Sequence, residues 1–224
     1  MLLTLPIQTL ILVLPLLLLS LVVHEHAHAR TAWAFGDPTA RDRGRLTLNP
    51  LAHLDLTGTL AMLFVGFGWA KPVPVNPYNL HPVRLGNIAV SLAGPASNLL
   101  IAVVSLLLLK GLYWAASTWT IPQSVYSTVG DGLFVLASIN IMLCTFNMVP
   151  LFPLDGHHIL GELLHYKTSP GYMRWQLQYG RILLMALLFG PMLLRMVTRN
   201  PSFPNPLGIL YSYVSNTLYG IMGM

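Results

Sequence analysis

His24-Glu25-His26-Ala27-His28 fits the pattern H-E-x-x-H, and its residue types and spacing could do metal chemistry. On a helix, residues four apart stand one above the other, so the His24 and His28 imidazoles can share one metal ion. Glu25 projects at a neighbouring angle. A carboxylate there can hold water beside the metal and act as a general base without ligating. Chance matches to this pattern occur in soluble proteins, but residues 2–23 ahead of it carry no charge. Ionisable groups in so apolar a segment are costly and read by default as functional.

A second informative stretch is Phe146-Asn147-Met148-Val149-Pro150-Leu151-Phe152-Pro153-Leu154-Asp155-Gly156. Asp155 is the only acidic residue in the apolar middle of the chain after Asp131. If the first membrane helix runs inward, the second outward and the third inward, Asp155 arrives at the level of His24 and His28. Two imidazoles, one carboxylate and an open position make a catalytic zinc set, and one Zn2+ per chain is expected. His157 and His158 are expected near this site or at the membrane interface rather than as ligands, while His26, His53, His81 and His165 read as structural.

The elements that must position these groups follow from hydropathy and breakers. A first spanning helix is expected from about residue 3 to about residue 30, retained rather than cleaved, since it lacks a positive start and a cleavage site. Residues 31–83 are broken repeatedly by proline. Within them, residues 45–48 and 72–75 predict a membrane-associated β-hairpin, and residues 60–69, too short to span, predict a re-entrant segment. An open strand edge there could receive an extended peptide. A second spanning helix is expected over residues 85–109, with Ala93-Gly94-Pro95-Ala96-Ser97-Asn98 suited to close helix packing. Residues 111–129 predict a polar loop, residues 130–149 a third helix, residues 177–197 another, and residues 206–222 a marginal last segment.

Composition agrees with this reading. The 224 residues are 54% apolar and 8% charged, with a mean hydropathy of +0.64, whereas a soluble domain carries about 25% charge. The expected fold class is an all-α polytopic membrane protein: one domain over residues 1–224, with a three-helix catalytic core over about 1–165 and further membrane helices over about 174–222. The net charge of +5 comes without a basic patch interleaved with aromatics, which excludes a nucleic-acid partner. Lone Cys144 excludes an intramolecular disulfide and a cysteine zinc site.

Basic residues set the orientation. Arg30, Arg41, Arg43, Arg45, Lys71, Arg84, Lys167 and Arg174 fall on the side expected to be cytoplasmic, against Lys110, Arg195 and Arg199 outside. The bilayer is the obligatory surroundings, and self-association into a homo-oligomer is compatible with the sequence.

His24-Glu25-x-x-His28 followed by Asn147-x-x-Pro150-x-x-Pro153-Leu154-Asp155-Gly156 resembles the site-2 protease family of intramembrane zinc metalloproteases. Gly68-Trp69-Ala70-Lys71-Pro72-Val73-Pro74-Val75-Asn76 and Ala93-Gly94-Pro95 resemble that family's bacterial and archaeal members. The resemblance implies a multi-pass protein of a prokaryotic plasma membrane that cuts a transmembrane segment of another protein. It also implies that Asn147 lies near the metal to stabilise an oxyanion. Some members carry a PDZ domain between the second and third core helices, and the short stretch after Lys110 cannot hold one. The alternative is a non-enzymatic metal-binding membrane protein or transporter. A transporter is expected to show an internal repeat, and none is visible here.

Overall fold

The computed structural model describes residues 6–65, 68–164 and 169–223. In chain order it holds α1 (Ile7–Ala34), α2 (Thr39–Asp42), α3 (Pro50–His53), α4 (Leu56–Val65), α5 (Val83–Thr118), α6 (Gln123–Asn147), α7 (Asp155–Leu163), α8 (Ser169–Trp175), α9 (Arg181–Thr198) and α10 (Pro206–Met222). A short π-helical turn, Gln176–Gly180, joins α8 to α9.

Four helical stretches are long and apolar enough to cross a membrane: Ile7–Ala34, Val83–Thr118, Gln123–Asn147 and Pro170–Thr198. α1 extends about 42 Å at the usual rise, more than the ~30 Å of a hydrocarbon layer. α1, α5 and α6 pack together as a three-helix core. Small residues on these helices are fully buried, Ala29 and Ala32 on α1, Ala102 on α5 and Ala137 on α6, which suits close helix packing. α10 has 17 residues and lies against α6 and α5.

Several boundaries differ from the sequence expectation. The polar loop over 111–129 is instead mostly helix, and only residues 119–122 connect α5 to α6. Ser117 and Thr118 hydroxyls donate to the Trp114 carbonyl, and Ser127 donates to the Gln123 carbonyl, so these polar side chains are satisfied within the helices. A polar stretch without breakers does not end a helix; Pro122 does. His165 and Lys167 lie outside the described residues.

No strand occurs among the described residues, so the β-hairpin is corrected. The groups that a ladder would use are taken elsewhere. Lys71 donates its N–H to the His53 carbonyl, and its own carbonyl accepts from Arg45 Nη2 at 2.5 Å. The Thr47 carbonyl faces His53 Nε2 at 2.9 Å, and the Val73 N–H goes to Glu25. Residues 60–65 belong to the ten-residue α4, which is too short to span. The chain turns back on it: a Cβ at Gly58 would collide with the Trp69 carbonyl.

Buried Asp37 ties the end of α1 to the segment that faces it. Its Oδ1 accepts from the Thr39 N–H and hydroxyl and from Asn79 Nδ2, and its Oδ2 accepts from the Asn76 N–H at 2.7 Å. Burial pushes this carboxyl up, but the hydrogen bonds outweigh burial and hold it below the ordinary 3.8. A depressed value in the folded state means that the stabilisation is present above the unfolded value and lost as pH falls through the folded one. Asp37→Asn replaces one acceptor with a donor facing an N–H. We expect it to cost about 2–3 kcal/mol at neutral pH, with the gap from wild type shrinking in acid. Thermal unfolding in detergent at neutral and acidic pH measures this, and an unchanged midpoint at neutral pH would refute it.

Candidate metal centre

The site forms where three elements meet. His24 and His28 lie one turn apart on α1 and are 6% and 8% exposed. Asp155 is the first residue of α7, where a carboxylate suits the helix N-terminus. α7 is docked along the start of α5: Arg84 Nε donates to the Glu162 carbonyl, and Asn87 Nδ2 donates to Glu162 Oε1, both at 2.8 Å. Gly156 allows the close passage of α7 beneath the end of α6, since a Cβ there would lie 2.7 Å from the Val149 carbonyl oxygen.

Both imidazoles are held by their far nitrogens. His24 Nδ1 is 2.5 Å from Asn98 Oδ1, and His28 Nδ1 is 2.7 Å from the Val90 carbonyl. A backbone carbonyl only accepts, so His28 Nδ1 carries the hydrogen. The same follows for His24, because Asn98 Nδ2 is committed as a donor to the Ser20 carbonyl and to Asn140 Oδ1 at 2.8 Å. Asn140 Nδ2 in turn donates to Ser20 Oγ at 2.8 Å and to the Leu136 carbonyl. A fully satisfied polar chain thus crosses α1, α5 and α6 and fixes one ligand tautomer.

With hydrogens on Nδ1, the neutral rings turn bare Nε2 lone pairs toward each other at 3.0 Å. Asp155 Oδ2 lies 3.3 Å from one and 3.4 Å from the other, and this buried oxygen has no hydrogen-bond donor. Three electron-pair donors with no proton between them repel unless a cation joins them. Their separations match the ~3.3 Å edge of a tetrahedron with metal–ligand bonds of about 2.0–2.1 Å. The residues present therefore fit a tetrahedral metal with one position left open, and no other such group occurs among the described residues. Gly94 on α5 closes the cradle: a Cβ there would come within 2.6 Å of His24 Nε2.

The other expected residues are placed as follows. Glu25, half-buried, accepts the Val73 N–H on Oε2 at 3.1 Å, so the irregular segment over 72–75 steadies it beside the histidines. Asn147 is the last residue of α6 and spends an amide hydrogen on the Leu143 carbonyl; no hydrogen bond joins it to His24, His28 or Asp155. His157 points its Nδ1 to the Leu154 carbonyl and stacks near His158, outside the ligand group. His53 is buried between Arg45 and the Thr47 carbonyl, a structural role. Sequence reasoning missed Asn140 and Ser20, although buried polar residues inside apolar helices are themselves a signal.

The model of peptidase family M50 matches residues 12–190 of this chain, spanning both motifs. The chain belongs to peptidase family M50. It is 39% identical over 165 residues to "Putative zinc metalloprotease YwhC" of Bacillus subtilis, covering 72% of each chain. "Putative zinc metalloprotease Rip2" of Mycolicibacterium smegmatis is 33% identical over 170 residues, or 74% of this chain and 61% of the relative. The Mycobacterium tuberculosis protein of that name is 31% identical over 169 residues. The chain thus spans about three fifths of the length of these mycobacterial relatives. No solved structure matches it. Family membership and four candidate spans make this a membrane protein of the site-2 protease type, and its relatives point to zinc.

The support behind the histidines should be measurable in metal affinity. Asn98→Ala removes the acceptor that orients His24, and a fall of about 10–100-fold in zinc affinity is expected. Gly94→Ala, which fills the cradle, is expected to abolish binding. Chelator competition on folded, detergent-purified protein reads both, and wild-type affinity in either variant would contradict this account of the cradle.

Proposed function

We propose that this protein is an intramembrane zinc endopeptidase that hydrolyses a peptide bond within or near a transmembrane segment of another membrane protein. The observation that carries the reading is the convergence of His24 Nε2, His28 Nε2 and Asp155 Oδ2 at tetrahedral-edge distances. Glu25 follows His24 directly on the same helix turn.

In this reading His24, His28 and Asp155 hold the zinc. When bound, it acts as a Lewis acid that brings the pKa of water towards ~7 and polarises the scissile carbonyl. Glu25 takes the proton from the attacking water and returns it to the leaving amine. The Val73 N–H keeps this carboxylate oriented between the two transfers. Asn147 donates an amide hydrogen to the developing oxyanion, which requires it to turn from the Leu143 carbonyl when substrate binds.

A helical substrate hides its peptide bonds behind its own hydrogen bonds and must unwind before it can be cut. The segment over 72–75 is a suitable receiver. It is irregular, carries two prolines and is anchored at both ends, by Arg45 and His53 on Lys71 and by Asp37 on Asn76. The excess of basic residues near the metal end of the core supports a site facing the cytoplasm in a prokaryotic plasma membrane.

Two variants test the assignment. Wild-type protein purified in detergent is expected to hold about one zinc per chain, and Asp155→Ala to lose it. Full zinc retention by folded Asp155→Ala would remove Asp155 from the ligand set. Glu25→Gln is expected to keep the metal while cleavage of a membrane substrate falls by about 10²–10⁴-fold. Undiminished cleavage would disprove the general-base role.

A further inference from the structure

Asp155 stands at the end of a loop that has little backbone to hold it. Residues 150–154 include Pro150 and Pro153, neither with an N–H. Of the loop's donors, Leu151 N–H bonds to the Val149 carbonyl and Leu154 N–H to the Leu151 carbonyl, both within the loop region. The Phe152 N–H leaves the loop. It donates to Gln176 Oε1 at 2.9 Å, and Gln176 Nε2 donates back to the Pro150 carbonyl at 2.7 Å.

This two-point clasp is built rather than incidental. Gln176 is 1% exposed, although it sits within the fourth candidate span. Its amide orientation is settled by its partners, since a carbonyl only accepts and an N–H only donates. Tyr172, one turn earlier, takes the second Nε2 hydrogen at 2.9 Å and donates its own hydroxyl to the Pro150 carbonyl at 3.3 Å. Gly180, one turn later, leaves the room: a Cβ there would lie 2.6 Å from Gln176 Oε1 and 2.9 Å from the Phe152 Cβ. Arg181 then covers the Phe152 ring at 4.9 Å. The clasp lies in the π-helical turn Gln176–Gly180, the kind of helix irregularity that gathers at functional sites.

We propose that Gln176 is a positioning residue for the metal centre: it fixes the loop over 150–153, and through it sets Asp155 Oδ2 against His24 and His28. The inference rests on the assignment of Asp155 as a ligand. A ligand carboxylate released from its register by even a fraction of an ångström no longer closes a tetrahedral set whose donors must sit near 3.3 Å apart. The clasp also makes the fourth span part of the site, although α9 itself touches the rest of the fold mainly through α10.

The experiment compares zinc affinity, by chelator competition on detergent-purified full-length protein, among wild type, Gln176→Met, Gln176→Glu and Leu177→Ala. Gln176→Met keeps the bulk and removes both hydrogen bonds to the loop along with the one to Tyr172, and zinc affinity is expected to fall about 10–100-fold. Gln176→Glu, protonated at so buried a position, offers an acceptor to the Phe152 N–H and an O–H donor to the Pro150 carbonyl, so it is expected to recover most of the affinity that Gln176→Met loses. Leu177, 64% exposed on the same turn, is the control, and Leu177→Ala is expected to match wild type. The absorption of cobalt-loaded protein gives a second readout, because a displaced Asp155 changes the ligand field whereas loosened helix packing does not. Wild-type zinc affinity in folded Gln176→Met would overturn the proposal, as would an equal loss in Leu177→Ala. A wild-type protein that binds no zinc would instead overturn the metal assignment beneath it.

Discussion

The structure depends on two hydrogen bonds to the wrong side of two histidines. By taking the Nδ1 hydrogens, Asn98 and the Val90 carbonyl leave the Nε2 lone pairs of His24 and His28 facing each other and Asp155. In a low-dielectric interior such an arrangement is unfavourable without a cation. Much of the core can be understood as the apparatus that keeps it in place. Asn98, Asn140 and Ser20 satisfy one another across three helices, so that none of these three side chains is left to draw the imidazoles into another arrangement.

The same logic governs the segments outside the core. Between α1 and α5 the described residues form only short helices, yet they are tied down by side chains: Arg45 to the Lys71 carbonyl, His53 to the Thr47 carbonyl, and Asp37 to the Asn76 N–H and the Asn79 side chain. Ladder hydrogen bonds are replaced by charged and aromatic-nitrogen partners, which hold the backbone without using its whole edge. Glu25 benefits directly, because the Val73 N–H that orients it belongs to this anchored segment.

On the opposite side of the metal, the loop to Asp155 is held from the fourth span by Gln176. The centre is thus gripped from α1, α5, the irregular segment and the C-terminal helices together. The glycines that make this possible are few and placed at contacts. Gly94 faces the imidazoles, Gly156 the end of α6, and Gly180 the Gln176 amide. Each marks a close approach that a single methyl group would prevent.

The metal-capable group of His24, His28 and Asp155 was legible in the sequence, as were the apolar runs that became α1, α5, α6 and α9, because ionisable residues in apolar surroundings stand out by cost alone. Helix ends were not. Ser117, Thr118 and Ser127 satisfy themselves on helical carbonyls, so polarity over 111–129 looked like a loop although Pro122 alone gave the local backbone a reason to stop. The hairpin failed for a related reason: proline describes which donors a strand would lack, not which side chains claim the rest. The sequence by itself determined which groups could bind metal and that they belong in a membrane. Only the tertiary structure decided that Asp155 meets the histidines at ligand spacing, that Asn98 and Val90 select the tautomers, and that Gln176 holds the loop. Those are contacts between residues 24 to 131 positions apart in the chain, and their partners are chosen by helix packing rather than by local pattern.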